Sequence, residues 1–237
     1  MLLFIIRHGD PIYDPDSLTE KGKLQAAAVG RRLALHGLDR IYASPMIRAQ
    51  QTAQPACDLL HKKAEILDWT SEGKAWEDFA CLNERGRKEW SFHQITPAHL
   101  KDPAILALGD RWYEAEPFCR APRAKEGYER IQKASDEWLE GLGYKREGNI
   151  YRILKPNDER VAVFCHQGFG TTWLSHLLAI NPPLFWSCFD INHSSVTILQ
   201  FANNEDGWTS PYCLSLSDNS HLYAERLPLQ HSNSIDL

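Results

Sequence analysis

Arg7, His8 and Gly9 combine three chemically useful residue types directly after a short apolar run, Leu2 to Ile6. An arginine offers a fixed fork of donors that suits phosphate oxygens. A histidine acts as a nucleophile towards phosphorus, or as an acid or base near neutral pH. Gly9 lets the backbone turn and approach a ligand closely. The triplet therefore indicates a site that binds or transfers an anionic group.

A second histidine, His166, comes after a second apolar run, Val161 to Cys165, and precedes Gln167. Runs without polar alternation are typical of strands buried on both faces of a parallel sheet. If the two strands are neighbours, His8 and His166 converge at the carboxyl edge of the sheet, where open α/β folds bind ligands.

Arg48 adds a second cation, close to a predicted helix start and just after a short strand that ends at Ser44 and Pro45. Two arginines and two imidazoles at one sheet edge make a compact, concave, cationic site. Its natural complement is a phosphoryl group.

The elements that must position these residues alternate between strands and helices, which predicts an α/β fold. We expect a three-layer sandwich with a mostly parallel central sheet flanked by helices. Further predicted strands cover residues 39–45, 64–68, 195–201 and 208–215. Predicted helices cover residues 19–37, 47–60 (with a kink or a late start because of Pro55), 127–142 and 171–179. Residues 143–160 are predicted to be a polar linker, and the last twenty or so to be extended or frayed.

Residues 69–126 differ from the rest, with many aromatic residues, several prolines and weak periodicity. They predict an insertion of short helices and loops that packs over the carboxyl edge of the sheet as a cap. The insertion holds nine Lys/Arg and ten Asp/Glu, a near balance that argues against a surface for polyanions.

Composition excludes several classes of function. A net charge of -5 and a pI near 6.1 give no electrostatic footprint for nucleic acid. No apolar stretch has the length of a membrane span, and the first run is too short for a signal peptide. The six cysteines are scattered without a CxxC pair, which predicts free thiols in the cytoplasm and argues against a cysteine-built metal site.

Several ordered segments resemble the phosphoglycerate mutase-like branch of the histidine phosphatase superfamily. The resemblance covers the chain except for residues 80–125. The matching segments are Leu2 to Gly9, Leu18 to Gly22, Ser44 to Ala53, Glu126 to Arg130, Phe164 to Gly168, and Leu214 to Leu222.

The resemblance implies one domain over residues 1–237, with the insertion at about 69–126, and a phosphohistidine mechanism. His8 attacks phosphorus, and Arg7, Arg48 and His166 hold the equatorial oxygens. His166 acts as a donor and charge partner. Gly9 and Gln167 join the phosphate-binding residues. The resemblance implies a metal-independent phosphatase of the histidine acid phosphatase type, without a cofactor.

The general acid is the weak point of the resemblance, because the family places a glutamate just after the third strand. Asp68 is the best positional match in this chain, and Glu72 stands four residues later. Glu84 lies in a segment similar to the acid motif of true mutases, but it comes 36 residues after Arg48. The sequence favours Asp68 over Glu72, and both over Glu84.

Three functions fit the resemblance: a phosphatase, a mutase that returns the phosphoryl group to its substrate, and a non-catalytic phosphate-binding protein. No lysine comes after Lys155, the tail is a loose Ser/Asn/Gln mixture, and the long acid motif of glycolytic mutases is missing. These features favour a phosphatase acting on a small phosphorylated metabolite. The aromatic insertion predicts a lid with apolar walls, and the oligomeric state cannot be read from the sequence.

Overall fold

The computed structural model describes residues 1–229. Within that range the strands are β1 (Leu2–Arg7), β2 (Pro11–Tyr13), β3 (Asp16–Leu18), β4 (Arg40–Ala43), β5 (Glu65–Ile66), β6 (Ala80–Leu82), β7 (Lys88–Trp90), β8 (Tyr144–Glu147), β9 (Ile150–Ile153), β10 (Arg160–Cys165), β11 (Val196–Gln200), β12 (Trp208–Thr209) and β13 (Tyr212–Asp218). The α-helices are α1 (Glu20–His36), α2 (Ile47–Leu60), α3 (Glu72–Phe79), α4 (Pro97–Lys101), α5 (Pro103–Ala107), α6 (Ala124–Gly141), α7 (Gln167–Leu177), α8 (Pro182–Cys188) and α9 (Ser220–Ala224).

The central sheet has six strands in the order β13-β11-β1-β10-β4-β5. β1 runs parallel to β10, with Arg7 opposite Cys165, so the next residues, His8 and His166, leave the sheet side by side. β4 and β5 continue the parallel part, whereas β11 and β13 are antiparallel to their neighbours. The predicted mostly parallel sheet is therefore confirmed, with an antiparallel edge.

Helices cover both faces of this sheet, which explains why β1 shows no polar alternation. Phe4 and Ile6 belong to one buried cluster, together with apolar residues of α1 and α2. Leu3 and Ile5 belong to the cluster on the opposite face, where residues of α6 and α7 cover them. Each face of the strand is thus removed from water, as the three-layer prediction requires.

Several predicted segments need correction. Residues 143–160 are not a linker, since β8 and β9 form a hairpin that β12 extends. The predicted strand 208–215 is divided into β12 and β13 around Pro211, whose ring nitrogen has no proton to donate to a ladder. α2 begins at Ile47 without a late start, and α7 begins at Gln167, four residues earlier than predicted. Part of the tail is helical (α9), and residues 230–237 lie outside the described range.

The insertion contains short helices and loops, as predicted, and also a hairpin of β6 and β7. Its aromatic residues extend the buried cluster on one face of the sheet, which also contains Leu3 and Ile5. Phe79, Trp112 and Phe118 are fully buried, and Trp186 of α8 packs against all three rings. These rings hold the cap together and attach it to α8, and Phe92, Trp186 and Phe189 line a small cavity beside Gln167.

Candidate active site

His8 comes directly after β1 and is 2% exposed. Its Nδ1 lies 2.7 Å from the carbonyl oxygen of Gly9. Since a carbonyl only accepts, Nδ1 carries the proton and the lone pair is on Nε2. Burial lowers the pKa of His8 well below its ordinary value, and the neighbouring His166 ring and the charge of Arg7 act in the same direction. His8 is therefore neutral, with Nε2 in the form that a nucleophile needs.

His166 occupies the N-cap position of α7, and its ring centroid lies 5.1 Å from that of His8. Its Nε2 is 2.7 Å from Oγ of Ser44, which accepts at 3.4 Å from the backbone N–H of Met46. Nδ1 of this fully buried ring has no hydrogen-bond partner within the described part of the chain. When the Ser44 hydroxyl donates to Nε2, Nδ1 carries the proton and is an N–H donor.

The charge expected for His166 needs correction. Burial lowers its pKa well below the ordinary value, and the positive charges of Arg48 and Arg7 lower it further. His166 is therefore a neutral imidazole rather than an imidazolium. The two arginines then carry the positive charge of the site.

Arg48 lies in the first turn of α2 and is 4% exposed. Its Nη1 donates to Oδ1 of Asp16 at 2.7 Å, and the other oxygen of Asp16 accepts from the backbone N–H of Ile47 at 2.7 Å. The ring of Tyr13 lies 5.3 Å from the guanidinium carbon. The hairpin of β2 and β3 thereby fixes Arg48 at the start of the helix.

Arg7 is 5% exposed and is held by the loop that precedes β11. Its Nη1 donates to the carbonyl of Ile191 at 2.6 Å, and its Nη2 donates to Nε2 of His193 at 2.9 Å. The His193 ring lies 5.5 Å from that of His8. Sequence analysis missed His193, because a histidine in a loop before an antiparallel strand carries no recognisable signal.

Of the three candidate acids, the structure brings Glu72 to the site. Its two carboxyl oxygens accept from the backbone N–H groups of Gly168 and Phe169, at 3.0 and 2.8 Å. These donors belong to the first turn of α7, next to His166. Burial raises the pKa of Glu72, although both hydrogen bonds and the nearby arginines oppose the shift.

Asp68 and Glu84 do not lie at this position. Asp68 is exposed at the start of a short 3-10 turn, and Glu84 is exposed in the turn between β6 and β7. The geometry therefore favours Glu72 over Asp68, whereas the sequence favoured Asp68 over Glu72. β5 ends at Ile66, and the chain needs six more residues and the start of α3 to reach the site.

Gly9 and Gln167 flank the two histidines. The N–H of Gly9 donates to Oγ1 of Thr52 at 3.0 Å, and a Cβ on Gly9 would lie 2.6 Å from the carbonyl oxygen of Gly22. The glycine is thus required by a close approach of two backbones. The amide of Gln167, the first residue of α7, donates to Asp190.

All six cysteines are free thiols. Within residues 1–229, no three His, Cys, Asp or Glu side chains are grouped so that they could hold a metal ion. No helix of this range has the length and apolarity needed to cross a membrane.

A buried neutral histidine beside a second histidine and two arginines, at the carboxyl edge of an α/β sheet, forms a site that suits a phosphoryl group. The family model of the histidine phosphatase superfamily (branch 1) matches residues 3–211, and the chain belongs to this family.

One relative and two solved structures illustrate what the chain is similar to. The mitochondrial serine/threonine-protein phosphatase Pgam5 of Drosophila mojavensis is 30% identical over 167 residues, which are 58% of this chain and 57% of that protein. The chain thus matches little more than half the length of this relative. A phosphoserine phosphatase from Entamoeba histolytica has a TM-score of 0.59 at 18% identity, covering 93% of this chain and 98% of its own. A mycobacterial glucosyl-3-phosphoglycerate phosphatase has a TM-score of 0.59 at 16% identity, covering 91% and 98%. These two structures share the fold.

Proposed function

We propose that this protein hydrolyses phosphomonoesters of small metabolites through a phosphohistidine on His8, without a metal ion or cofactor. One observation carries the proposal. The unprotonated Nε2 of a neutral His8 lies among the donors of Arg7, Arg48 and His166, a nucleophile surrounded by groups that bind phosphoryl oxygens.

In the first step, Nε2 of His8 attacks phosphorus and the bond from phosphorus to the ester oxygen breaks. Arg7, Arg48 and Nδ1–H of His166 stabilise the charge on the three equatorial oxygens. In the second step, water attacks the phosphohistidine, which releases inorganic phosphate and returns His8 to its neutral form. Catalysis then consists mainly of positioning and electrostatic stabilisation.

Glu72 is the proposed proton donor for the leaving oxygen. A raised pKa keeps a carboxyl group protonated at a higher pH than usual, which suits a general acid. After the alcohol leaves, the resulting carboxylate takes a proton from the attacking water, so Glu72 recovers its proton in each turnover.

One cavity in the cap supports a polar leaving group. It has a volume of about 890 Å³ and is lined mostly by charged and polar side chains from the β6–β7 hairpin and the segments after it, among them Arg87, Glu89 and His93. His93 also lines a smaller cavity beside Gln167, next to the catalytic histidines. The smaller cavity also has the aromatic side chains of Phe92, Trp186 and Phe189, whereas the polar lining of the larger cavity favours a small hydrophilic metabolite. The two structural neighbours are phosphatases named for substrates of this kind.

The proposal is tested by trapping the phosphoenzyme. Wild-type protein mixed briefly with a phosphomonoester should carry acid-labile, base-stable phosphate, and His8→Ala protein with unchanged circular dichroism should carry none. Labelled phosphate on the His8→Ala protein would refute the assignment.

A panel of phosphomonoesters, assayed in EDTA with and without 2,3-bisphosphoglycerate, separates hydrolysis from transfer. We expect release of inorganic phosphate in both conditions. Transfer between positions that requires the bisphosphate would identify a mutase. The cytoplasmic location predicted from the cysteines belongs to the same proposal and is tested by cell fractionation.

A further inference from the structure

The loop before β11 contacts the proposed nucleophile through its backbone, and the proposed mechanism gives this contact no role. The N–H of Ser194 donates to the carbonyl oxygen of His8 at 3.1 Å, and the N–H of His8 donates to the carbonyl oxygen of Cys165 at 2.9 Å. The next loop residue, Ser195, accepts from the N–H of Arg7 at 3.2 Å. The backbone of His8 is therefore held by β10 on one side and by this loop on the other.

Ser194 makes its contact in a backbone conformation that residues with a side chain seldom adopt. Its φ is 58°, in the left-handed region, where a Cβ crowds the following carbonyl oxygen. The residue is fully buried. A conformation of this kind persists only where the surrounding structure specifies it, and such residues are frequent in active sites. A contact from outside the loop is therefore needed to hold Ser194 in place.

His221, in the short helix α9, supplies a contact of this kind. Its Nε2 lies 3.1 Å from Oγ of Ser194, and its Nδ1 lies 3.4 Å from Nη1 of Arg32 in α1. A guanidinium only donates, so Nδ1 accepts from Arg32, and Nε2–H donates to Oγ. Burial lowers the pKa of His221 to about 4, the charge of Arg32 acts in the same direction, and nearby carboxylates oppose the shift. The ring is thus a neutral donor at physiological pH.

Two further hydrogen bonds join the same part of the chain to the loop. Oγ of Ser217, at the end of β13, accepts from the N–H of Asn192 at 2.8 Å. The side-chain amide of Asn219 donates to the carbonyl oxygen of His193 at 3.1 Å. Three successive loop residues are thus bonded by one short stretch of chain. The third of these bonds, from α9, reaches the loop residue that contacts the nucleophile.

We propose that His221 is a positioning residue that holds Ser194 in its left-handed conformation and thereby fixes the backbone of His8 for attack on phosphorus. The consequence for the rate rests on the proposed function. Loss of the bond from His221 should slow phosphorylation of His8. Glycine at position 194 should remove the need for this bond, because glycine adopts a positive φ without a steric penalty.

The first test compares His221→Gln with His221→Leu. The amide NH₂ of glutamine replaces Nε2–H as a donor to Ser194, so kcat for p-nitrophenyl phosphate should stay within about threefold of wild type. Leucine fills the space without a donor, so kcat should fall about tenfold to a hundredfold, the loss expected when a reacting group is slightly misplaced. Equal kcat values for the two variants would overturn the proposal.

Glycine at position 194 gives a second readout, which a contact that only stabilises the fold would not change. In a Ser194→Gly background, His221→Leu should lower kcat by less than about twofold. Losses that multiply would contradict the proposal. Ser194→Ala keeps the Cβ and loses the bond, so it should resemble His221→Leu, and it replaces that variant in every comparison if the leucine variant does not fold. The control is Ala179→Gly, which changes a left-handed residue (φ 53°) just after α7 and should leave kcat unchanged.

Hydrogen exchange of backbone amides separates this inference from the proposed function, because it needs no turnover. The N–H of residue 194 should exchange at least about tenfold faster in His221→Leu than in wild type, relative to the N–H of Val163 in the central sheet, and in His221→Gln it should not. Unchanged relative exchange in His221→Leu would refute the role of His221, whatever the activity. If wild-type protein hydrolyses no phosphomonoester, the proposed function fails, and the exchange rates still decide whether His221 holds Ser194.

Discussion

Replacing Glu72 by glutamine tests the assignment in which structure and sequence disagree most. The carboxyl of Glu72 accepts two backbone N–H bonds from α7 and supplies the proposed proton. Glutamine keeps the shape and one acceptor oxygen, but it cannot supply the proton. General acid catalysis contributes about 10²- to 10⁴-fold, so hydrolysis of an alkyl phosphate such as glycerol 3-phosphate should fall at least a hundredfold.

The leaving group provides an internal control. An alkoxide needs a proton to leave, whereas p-nitrophenolate departs without one. Turnover of p-nitrophenyl phosphate by Glu72→Gln protein should therefore stay within about threefold of wild type. A loss on both substrates would indicate damage to the site rather than removal of an acid.

The structural cost of the change can be bounded. The amide NH₂ of glutamine meets one of the two backbone N–H groups, so one hydrogen bond is lost at a partly buried position. Such a loss costs about 1–3 kcal/mol, or a fall in Tm of roughly 2–12 °C for a chain of this size. A variant that is folded at the assay temperature then reports on chemistry.

The pH dependence is determined by the raised pKa of Glu72. The acid acts when protonated, so hydrolysis of glycerol 3-phosphate should fall as pH rises through that pKa. This fall in rate with rising pH should be absent when p-nitrophenyl phosphate is the substrate, and it should also be absent in the Glu72→Gln variant. On the acid side, the lowered pKa of His8 keeps the nucleophile unprotonated well below the ordinary histidine range.

Asp68→Asn is the matched comparison, because the sequence favoured Asp68 and the structure leaves it exposed. It should behave as wild type on both substrates. If the selective loss on glycerol 3-phosphate appears in Asp68→Asn and not in Glu72→Gln, the assignment of Glu72 is wrong. If neither variant shows it, the proton comes from elsewhere in the cap, and Glu84 is the next residue to replace.

Two further changes probe the phosphate-binding residues and the backbone around them. Arg48→Ala should lower kcat on p-nitrophenyl phosphate by about 10²- to 10³-fold. Arg48→Lys should recover only part of this loss, because an ammonium group cannot reproduce the two parallel hydrogen bonds of a guanidinium. Near-wild-type rates for Arg48→Ala would show that Arg48 does not act in the site. Gly9→Ala places a Cβ 2.6 Å from the carbonyl oxygen of Gly22. It should lower the free energy of unfolding, measured with urea, by about 1–3 kcal/mol. The control is Gly73→Ala, in an open part of α3, which should be neutral or stabilising.

The sequence by itself determined the family, the layered fold and the position of a histidine after each of two buried strands. All three are consequences of local patterns, whereas the pairing of the two strands is seen only in the structure. Leu2 to Ile6 and Val161 to Cys165 are apolar without alternation, and a histidine stands at or near the end of each run. Two neighbouring parallel strands have to deliver their next residues to the same edge of the sheet, and Arg7 opposite Cys165 shows this register.

The tertiary structure alone decided which side chains complete the site. Which carboxyl after β5 contacts the first turn of α7 depends on the positions of the 3-10 turn and of α3. In this structure those positions bring Glu72, and not Asp68, to α7. His193 reaches Arg7 across 186 residues of sequence, from a loop without a periodic pattern. Apolar periodicity records burial of an element against its neighbours, whereas the partners of a polar side chain depend on distances between separate elements, which no local pattern contains.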